Sequence, residues 1–409
     1  MTTQETILPS PLTATDWRPR RETGRAWPAN SNDLSVFTEE IADDAIGTIE
    51  GHWRMLEARA LEGNAYFSPD FLIAAMRHFR RTTRPRLLAI WKPLPPPHAP
   101  RLIGLVPLAR HRTLPFATPA RLWHHPLIGY GAPLLDRFDA EAALTAMFAH
   151  LARQNQENTV VFQMLDENGA TLAALRHTVR MQGGSLAMLD RTARPILTQA
   201  AGTAFGSRKR SKELGRLRRR LSDDDAVTFH VSGTYAELRN AAERFFALEA
   251  AGWKGHKGTA LVQDPDSANF ARAMLWSSAR RDRARIAWLE KDGRMIAAMI
   301  LLLSGTRAFL WKTAYDEQQA RFAPGSLLLQ DLTDWLKRQP DLELTDSCAL
   351  PGQFLVEAHW QEHLAVCDVI VSPAPASAAG FAIMRGMERG RHRLRRIGRR
   401  LYHMLRSGT

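Results

Sequence analysis

Residues 86–91 and 102–109 form two short, nearly continuous apolar runs on either side of a proline-rich stretch. The arrangement returns at residues 286–290 and 295–303, now joined by Lys291, Asp292 and Gly293. Short apolar runs bounded by turn residues predict buried strands, and Asp-Gly between two of them predicts a hairpin. In the first half a strand near 121–123 then leads through a loop with Gly129, Gly131 and Pro133 into a helical pattern at 140–153, a strand at 159–164 and a helix from about 170. In the second half the order is a strand at 308–314, a loop ending in Pro324 and Gly325, a helix at 326–337, a strand at 342–345 and a helix near 354–363. The repeated order predicts two copies of one α+β unit, an α/β sandwich with mixed central sheets flanked by helices. The boundaries expected are a leader over 1–35, units over 36–190 and 191–375, and a basic amphipathic tail over 376–409.

The longest apolar run, residues 295–303, is about half of the roughly 18 residues that would raise a membrane span. The first twenty residues lack a basic segment followed by an apolar core, so no secretory signal is predicted. Cys348 and Cys367 are the whole cysteine content. They support neither a disulfide framework nor a cysteine-built zinc site, so a reducing cytoplasm is expected and no metal is.

The net charge of +13 changes meaning once it is divided along the chain. Residues 207–221 hold eight Lys/Arg against Glu213, and residues 380–409 hold nine Arg against Glu388. What remains is slightly negative, so the body is not itself a polyanion binder. The first basic segment reads as a helix docked by Leu214, Leu217 and Leu221. The second places Phe381, Met384, Met387, Leu394, Ile397, Leu401 and Met404 at helical spacing among arginines. That is either a solvated tail or a helix for a membrane surface or an anionic partner.

Pro324, Gly325 and Ser326 before an amphipathic helix have a direct chemical reading, beside the ordinary one of a helix start. Free N–H groups and the positive dipole end converge at a helix N-terminus and bind phosphate. Gly325 permits close approach, and Ser326 can cap the helix or meet an oxygen. With Arg321 upstream, residues Arg321, Pro324, Gly325, Ser326 and Leu327 are the candidates for holding a pyrophosphate-bearing acyl carrier.

Residues 249–261 (EAAGWKGHKGTAL), 311–329 (WKTAYDEQQARFAPGSLLL) and 345–352 (TDSCALPG), with His359 and Trp360, together resemble the GNAT-fold acyltransferases of the CelD/BcsL (BioF2-like) group. Residues 66–76 (YFSPDFLIAAM) and 129–135 (GYGAPLL) are similar to its N-terminal portion. The resemblance runs from about residue 48 to about residue 372. It implies tandem GNAT-like domains related to the Fem aminoacyltransferases, with acetyl-CoA or another acyl-CoA as donor. The acceptor implied is an amine or amino sugar, small molecule or glycan, in cellulose, exopolysaccharide or envelope biosynthesis. Two departures stand out. The GNAT phosphate loop, Arg/Gln-x-x-Gly-x-Gly/Ala, is represented by 321–326 with one glycine and a proline, which lacks an amide donor. The tyrosine that many GNAT enzymes use to protonate the leaving thiolate has no counterpart between Asp316 and Tyr402, where Ser347, Cys348 or Tyr315 are substitutes by type only.

Acyl transfer to an amine needs a proton acceptor and an oxyanion donor. Glu249, Asp316 and Asp346 are the catalytic candidates, with Glu317 and His359 further nominees as base. Asp346 follows a buried-looking strand, where a carboxylate is either a structural acceptor or a working group. Glu249 either accepts a proton or pairs with Lys254. Lys312, between Trp311 and Thr313, either meets a phosphate or carboxylate or reaches from a strand edge. Trp253 and Tyr315 suit the wall of an acceptor pocket, and Lys254, Cys348 and His359 complete the substrate-binding candidates. Residues 252–255 read as a loop. Two other functions remain open: a Fem-like aminoacyltransferase using aminoacyl-tRNA, the one nucleic acid considered, and a degenerate scaffold on a polysaccharide-synthase complex. The basic tail would place such a cytoplasmic protein at the inner membrane face.

Overall fold

A computed structural model of the chain describes residues 35–80, 84–109, 119–155, 159–200, 208–222, 226–349, 354–373 and 378–407. The expected leader lies outside these apart from Ser35. The first half contains strand β1 (Phe37–Ile41), helices α1 (Glu50–Ala58) and α2 (Pro69–His78), strands β2 (Arg86–Lys92), β3 (Arg101–Leu108), β4 (Ala120–Arg121) and β5 (Leu134–Leu135), helix α3 (Ala140–Asn155), β6 (Val160–Asp166), α4 (Ala170–Met181) and β7 (Ser185–Thr198). The second contains α5 (Arg208–Leu221), β8 (Thr228–Val231), α6 (Tyr235–Ala251), α7 (Trp253–His256), α8 (Pro265–Ala279), β9 (Ala284–Lys291), β10 (Arg294–Ser304), β11 (Arg307–Tyr315), α9 (Pro324–Lys337), β12 (Leu344–Asp346), α10 (Phe354–Glu357) and β13 (Glu362–Ser372). The long helix α11 (Ala378–Ser407) follows.

The fold is mixed α+β. One antiparallel sheet has the order β1-β2-β3-β5, and a nine-stranded mixed sheet runs β4-β6-β13-β7-β12-β11-β10-β9-β8. The β9–β10 hairpin turns through Asp292 and Gly293, both at positive φ, which is why Asp-Gly suits it. At the centre of the large sheet the two halves exchange their last strands. β13 pairs with β6 of the first half, β7 pairs with β12 of the second, and β7 and β13 pair with each other along Glu362–Ser372. The boundary expected at 190/191 falls inside β7, so the sheet is continuous across it.

Helices α2 and α8 also join the halves. Each opens on a capping side chain followed by Pro at the first turn: Ser68 accepts from the Phe71 N–H at 3.3 Å, and Asp264 from the Ser267 N–H at 3.0 Å. Their buried faces meet edge to face at Phe71 and Phe270, ring centroids 5.0 Å apart. On the other side of the sheet Leu328, Leu329, Leu332 and Leu336 of α9 are buried against β9–β11, each contributing about 1.5–3 kcal/mol of transfer free energy. The basic helix α5 docks there through Leu214 and Leu221, and Arg218 donates to Asp331 at 2.6 Å.

Three expectations are corrected. Residues 253–256 form a helical turn, α7, rather than a loop. The helix expected to reach residue 363 stops at Glu357, because the chain must turn to enter β13. Helix α9 begins at Pro324 after Ala323 in the left-handed region, and Ser326 makes no side-chain cap.

Candidate active site

β11 and β12 run parallel but pair only at Arg307 with Leu344, Ala308 with Thr345 and Phe309 with Asp346. β12 then ends, while β11 continues for six residues with no strand on that side among the described residues. On its other side Ile300 faces Lys312 and Leu301 faces Leu310, so Trp311 is an extra residue, a β-bulge that bends the strand and re-aims its side chains. The diverging strands leave a cavity of about 720 Å³. The end of α6 and α7 form one wall, and Tyr66 and residues 126–129 of the first half close it from below. The Trp311 indole ties β11 to that half by donating to the Leu127 carbonyl at 3.0 Å.

The cavity brings together Glu249, Trp253, Lys254, Lys312, Tyr315 and Cys348 of the sequence-derived candidates. Glu249 is buried and fully engaged: Oε1 accepts from Lys254 Nζ at 3.0 Å and Oε2 from the Leu261 N–H at 2.9 Å. Lys254 Nζ also donates to the Thr313 carbonyl at 2.6 Å, so the pair braces α7 against β11. Lys312 differs. It has no hydrogen bond or ion pair among the described residues, and burial pushes its pKa down, with the Glu249 charge opposing and the Lys254 charge assisting. Trp253 and Tyr315 remain exposed at the rim. Glu317 accepts from the Trp253 N–H at 2.5 Å and holds α7 there.

The floor contains a group that sequence reasoning did not find. Tyr66 Oη lies 3.2 Å from Cys348 Sγ. The Cys348 N–H donates to Asp346 Oδ1 at 2.9 Å, Asp346 Oδ2 pairs with Arg194, and Arg194 Nη1 donates to the Gly129 carbonyl at 2.7 Å. Burial, with the Asp346 charge adding, pushes the Cys348 thiol up to about 12; burial and Cys348 push the Tyr66 phenol well above its usual range. Both groups therefore stay protonated at neutral pH. Gly129 is required for space: a Cβ there would lie 2.5 Å from Cys348 Sγ and 2.6 Å from Tyr66 Oη. Tyr66 and Gly129 stand inside the quoted motifs, yet no local pattern indicates that they meet residue 348. Arg194, in a strand without clean alternation, gave no signal.

The other candidates lie elsewhere. Asp346 is fully buried beneath the floor. Asp316 caps the turn after β11 by accepting from the Gln318 N–H at 2.9 Å. His359 is buried outside the cavity lining, its pKa pushed down to about 4 by burial, with Arg210 assisting. Arg321 is exposed and sits over the Phe322 ring at 4.7 Å. At the start of α9 the Ser326 and Leu327 amides both bind the Ala323 carbonyl, at 2.9 and 3.1 Å, and Pro324 has none. Gly325 keeps the one amide of that turn without a partner among the described residues. The expected diphosphate cradle is thus reduced to a single N–H beside Leu355, which lines the cavity. Among the described residues no cluster of His, Cys, Asp or Glu is arranged to hold a metal ion.

Residues 208–346, from α5 to the end of β12, match the family described as Acetyltransferase (GNAT) domain. This stretch contains β11, its bulge and the start of α9. Among solved structures the chain is similar to FemX, with a TM-score of 0.50 at 9% identity, over 85% of this chain and 99% of that one. It is also similar to the C-terminal DUF2156 domain of a putative lysylphosphatidylglycerol synthetase from Agrobacterium fabrum, with a TM-score of 0.48 at 12% identity, over 85% and 97%. A tandem GNAT protein from the clavulanic acid biosynthesis pathway gives 0.42 at 14% identity, over 84% and 100%. At 9% identity the likeness to FemX is one of fold alone. No curated protein sequence matches the chain. The matched segment is similar to a GNAT-fold acetyltransferase domain, and its cavity is completed by residues of the first half.

Proposed function

We propose that the chain is an N-acyltransferase that moves an acyl group, acetyl first among the candidates, from acyl-CoA to an amine or amino-sugar acceptor. The motifs shared with the CelD/BcsL group support cellulose, exopolysaccharide or envelope biosynthesis as its setting. The observation that carries this reading is the early parting of β11 and β12, which opens a cavity onto an unpaired strand edge. A thioester lying along that edge has its carbonyl oxygen facing strand amides. A donor already in place for the oxyanion is worth on the order of 10² to 10³ in rate. The amine nitrogen attacks the carbonyl carbon, the C–S bond breaks, and the thiolate departs toward Tyr66 and Cys348, which are protonated and donate hydrogen bonds to it. Lys312, whose burial favours the neutral amine, takes the proton that the acceptor loses, and the thiolate finally receives it. Trp253 and Tyr315 at the rim offer apolar faces to a sugar ring.

A second reading, aminoacyl-tRNA as donor, is favoured by α5, where Lys209, Arg210, Lys212, Arg216, Arg219 and Arg220 are exposed on a helix packed against the start of α9. Calorimetry of the full chain separates the two. Saturable binding of acetyl-CoA with little salt dependence supports the first. Binding of charged tRNA alone, falling steeply with salt, replaces it by the second. If neither binds, both readings fall.

A further inference from the structure

The rotation of α11 about its own axis is fixed by contacts on one face. Buried Glu388 pairs with Arg121 of β4, and buried His392, one turn on, has Nδ1 3.6 Å from the Asp368 carboxylate and 4.0 Å from that of Asp190. Arg389 donates to the Met188 carbonyl at 3.1 Å. With that face committed to the sheet, the outward face carries Ile383, Met387 and Leu394, which are 65%, 57% and 70% exposed. Steps of four and seven residues keep these three within about 40° of one another around the helix. In sequence the same spacing continues at Ile397 and Leu401. Exposed Arg391 and Arg393 flank the stripe. A recess of about 320 Å³ lined by Leu189, Arg389, His392 and Arg393 opens between this helix and β7.

An apolar stripe of this kind is normally covered. Pairing with a second copy would bring two helices with nine arginines and one glutamate each against one another, which like-charge repulsion opposes. A nucleic acid would satisfy the arginines and leave the stripe in water. An anionic bilayer satisfies both, with the apolar residues at the headgroup boundary and the guanidinium groups on lipid phosphates. No helix among the described residues is long and apolar enough to cross a membrane. We propose that α11 is an in-plane anchor that holds this protein on an anionic lipid surface, with its docked face fixing how the body is presented to that surface. This is independent of the donor and acceptor.

The test is cosedimentation of the full chain with phosphatidylcholine vesicles, with and without phosphatidylglycerol, alongside the variant Ile383→Asp/Met387→Asp/Leu394→Asp. The three positions lie outside the core, and circular dichroism checks that the variant is folded. The expected result is partition onto phosphatidylglycerol vesicles only, weakened by salt and reduced on the order of tenfold or more in the variant. Two results would overturn the proposal: undiminished binding of the variant, which would leave charge alone responsible, or no binding of the natural chain to the anionic vesicles. A concentration-dependent dimer that the variant abolishes, with no vesicle binding, would assign the stripe to self-association instead.

Discussion

Tyr66 and Cys348, 282 residues apart in sequence, hold their hydroxyl and thiol 3.2 Å apart on the floor of the cavity. The first half thereby supplies the phenol that residues 317–401 lack. Tyr66→Phe keeps the ring and its packing on Phe309, centroids 5.4 Å apart, and removes only the hydroxyl. The expected outcome is a fall in kcat of about tenfold to a hundredfold with KM little changed, measured as thiol release from acetyl-CoA. A fall in KM and kcat to background together with a lower Tm would instead mean that the hydroxyl is structural.

Burial sets the reactivity of both cysteines, Cys348 on this floor and Cys367 in β13. Burial pushes the Cys348 thiol up to about 12 and the Cys367 thiol up to about 11. The thiolate, not the thiol, attacks iodoacetamide and displaces iodide, so labelling of the native protein at pH 7 should be far slower than for an ordinary thiol, rising about tenfold per pH unit. Peptide mass mapping reads each site. Fast labelling of Cys348 at neutral pH would show a thiolate there and remove its role as a donor.

Lys312 carries a cost that the cavity imposes. Its folded pKa is depressed, so the fold favours the neutral amine, and this unfavourable contribution at pH 7 disappears as pH rises toward the ordinary lysine value. Lys312→Met is therefore expected to stabilise the protein at pH 7, with the difference shrinking as pH rises toward the ordinary lysine value, while abolishing turnover. Urea unfolding at pH 7 and at higher pH gives the sign. A destabilised variant would show that Lys312 is held by an anionic partner.

Local order was legible in the sequence because it rests on short-range rules. The β9–β10 hairpin, β11 and the apolar stripe of α9 all lie where periodicity and Asp-Gly indicated. The two central strands were not. β7 is exposed through Arg191, Thr192 and Ala193 and buried only toward its end, and β13 interrupts its apolar run with Asp368, so neither shows a clean period of two. The candidate site was half legible for the same reason. Glu249, Trp253, Lys254, Lys312 and Tyr315 fall in two motifs of the second half, whereas Tyr66 and Gly129 reach the cavity only because the two halves pack against each other. Asp346 shows the limit of residue-type reasoning. A carboxylate after a buried strand was equally compatible with catalysis, and only the guanidinium of Arg194 shows that its charge is met inside the protein.

That pairing makes Asp346 a test of structure against chemistry. Removing one partner leaves the other charge buried without compensation, a loss of about 3–5 kcal/mol. Asp346→Ala and Arg194→Ala should each lower stability by that order, and the double variant should cost less than the sum, as read from denaturant unfolding. Wild-type stability of Asp346→Ala with activity abolished would return this residue to the catalytic group.

His359 sets the acid side of the stability profile. Its folded pKa of about 4 lies below the ordinary histidine value of 6.5, so its neutral form is favoured by the fold. The stabilisation is complete above pH 6.5 and is lost as pH falls toward 4, because the unfolded chain takes up the proton first. The difference between the two pKa values makes this about 2 kcal/mol between pH 7.5 and pH 5. His125, pushed to about 4 mainly by burial, contributes in the same window. His359→Gln should therefore flatten the acid loss without removing it, and urea midpoints at pH 7.5 and pH 5 measure the change. An unchanged slope would mean that His359 is protonated in the folded protein at pH 5.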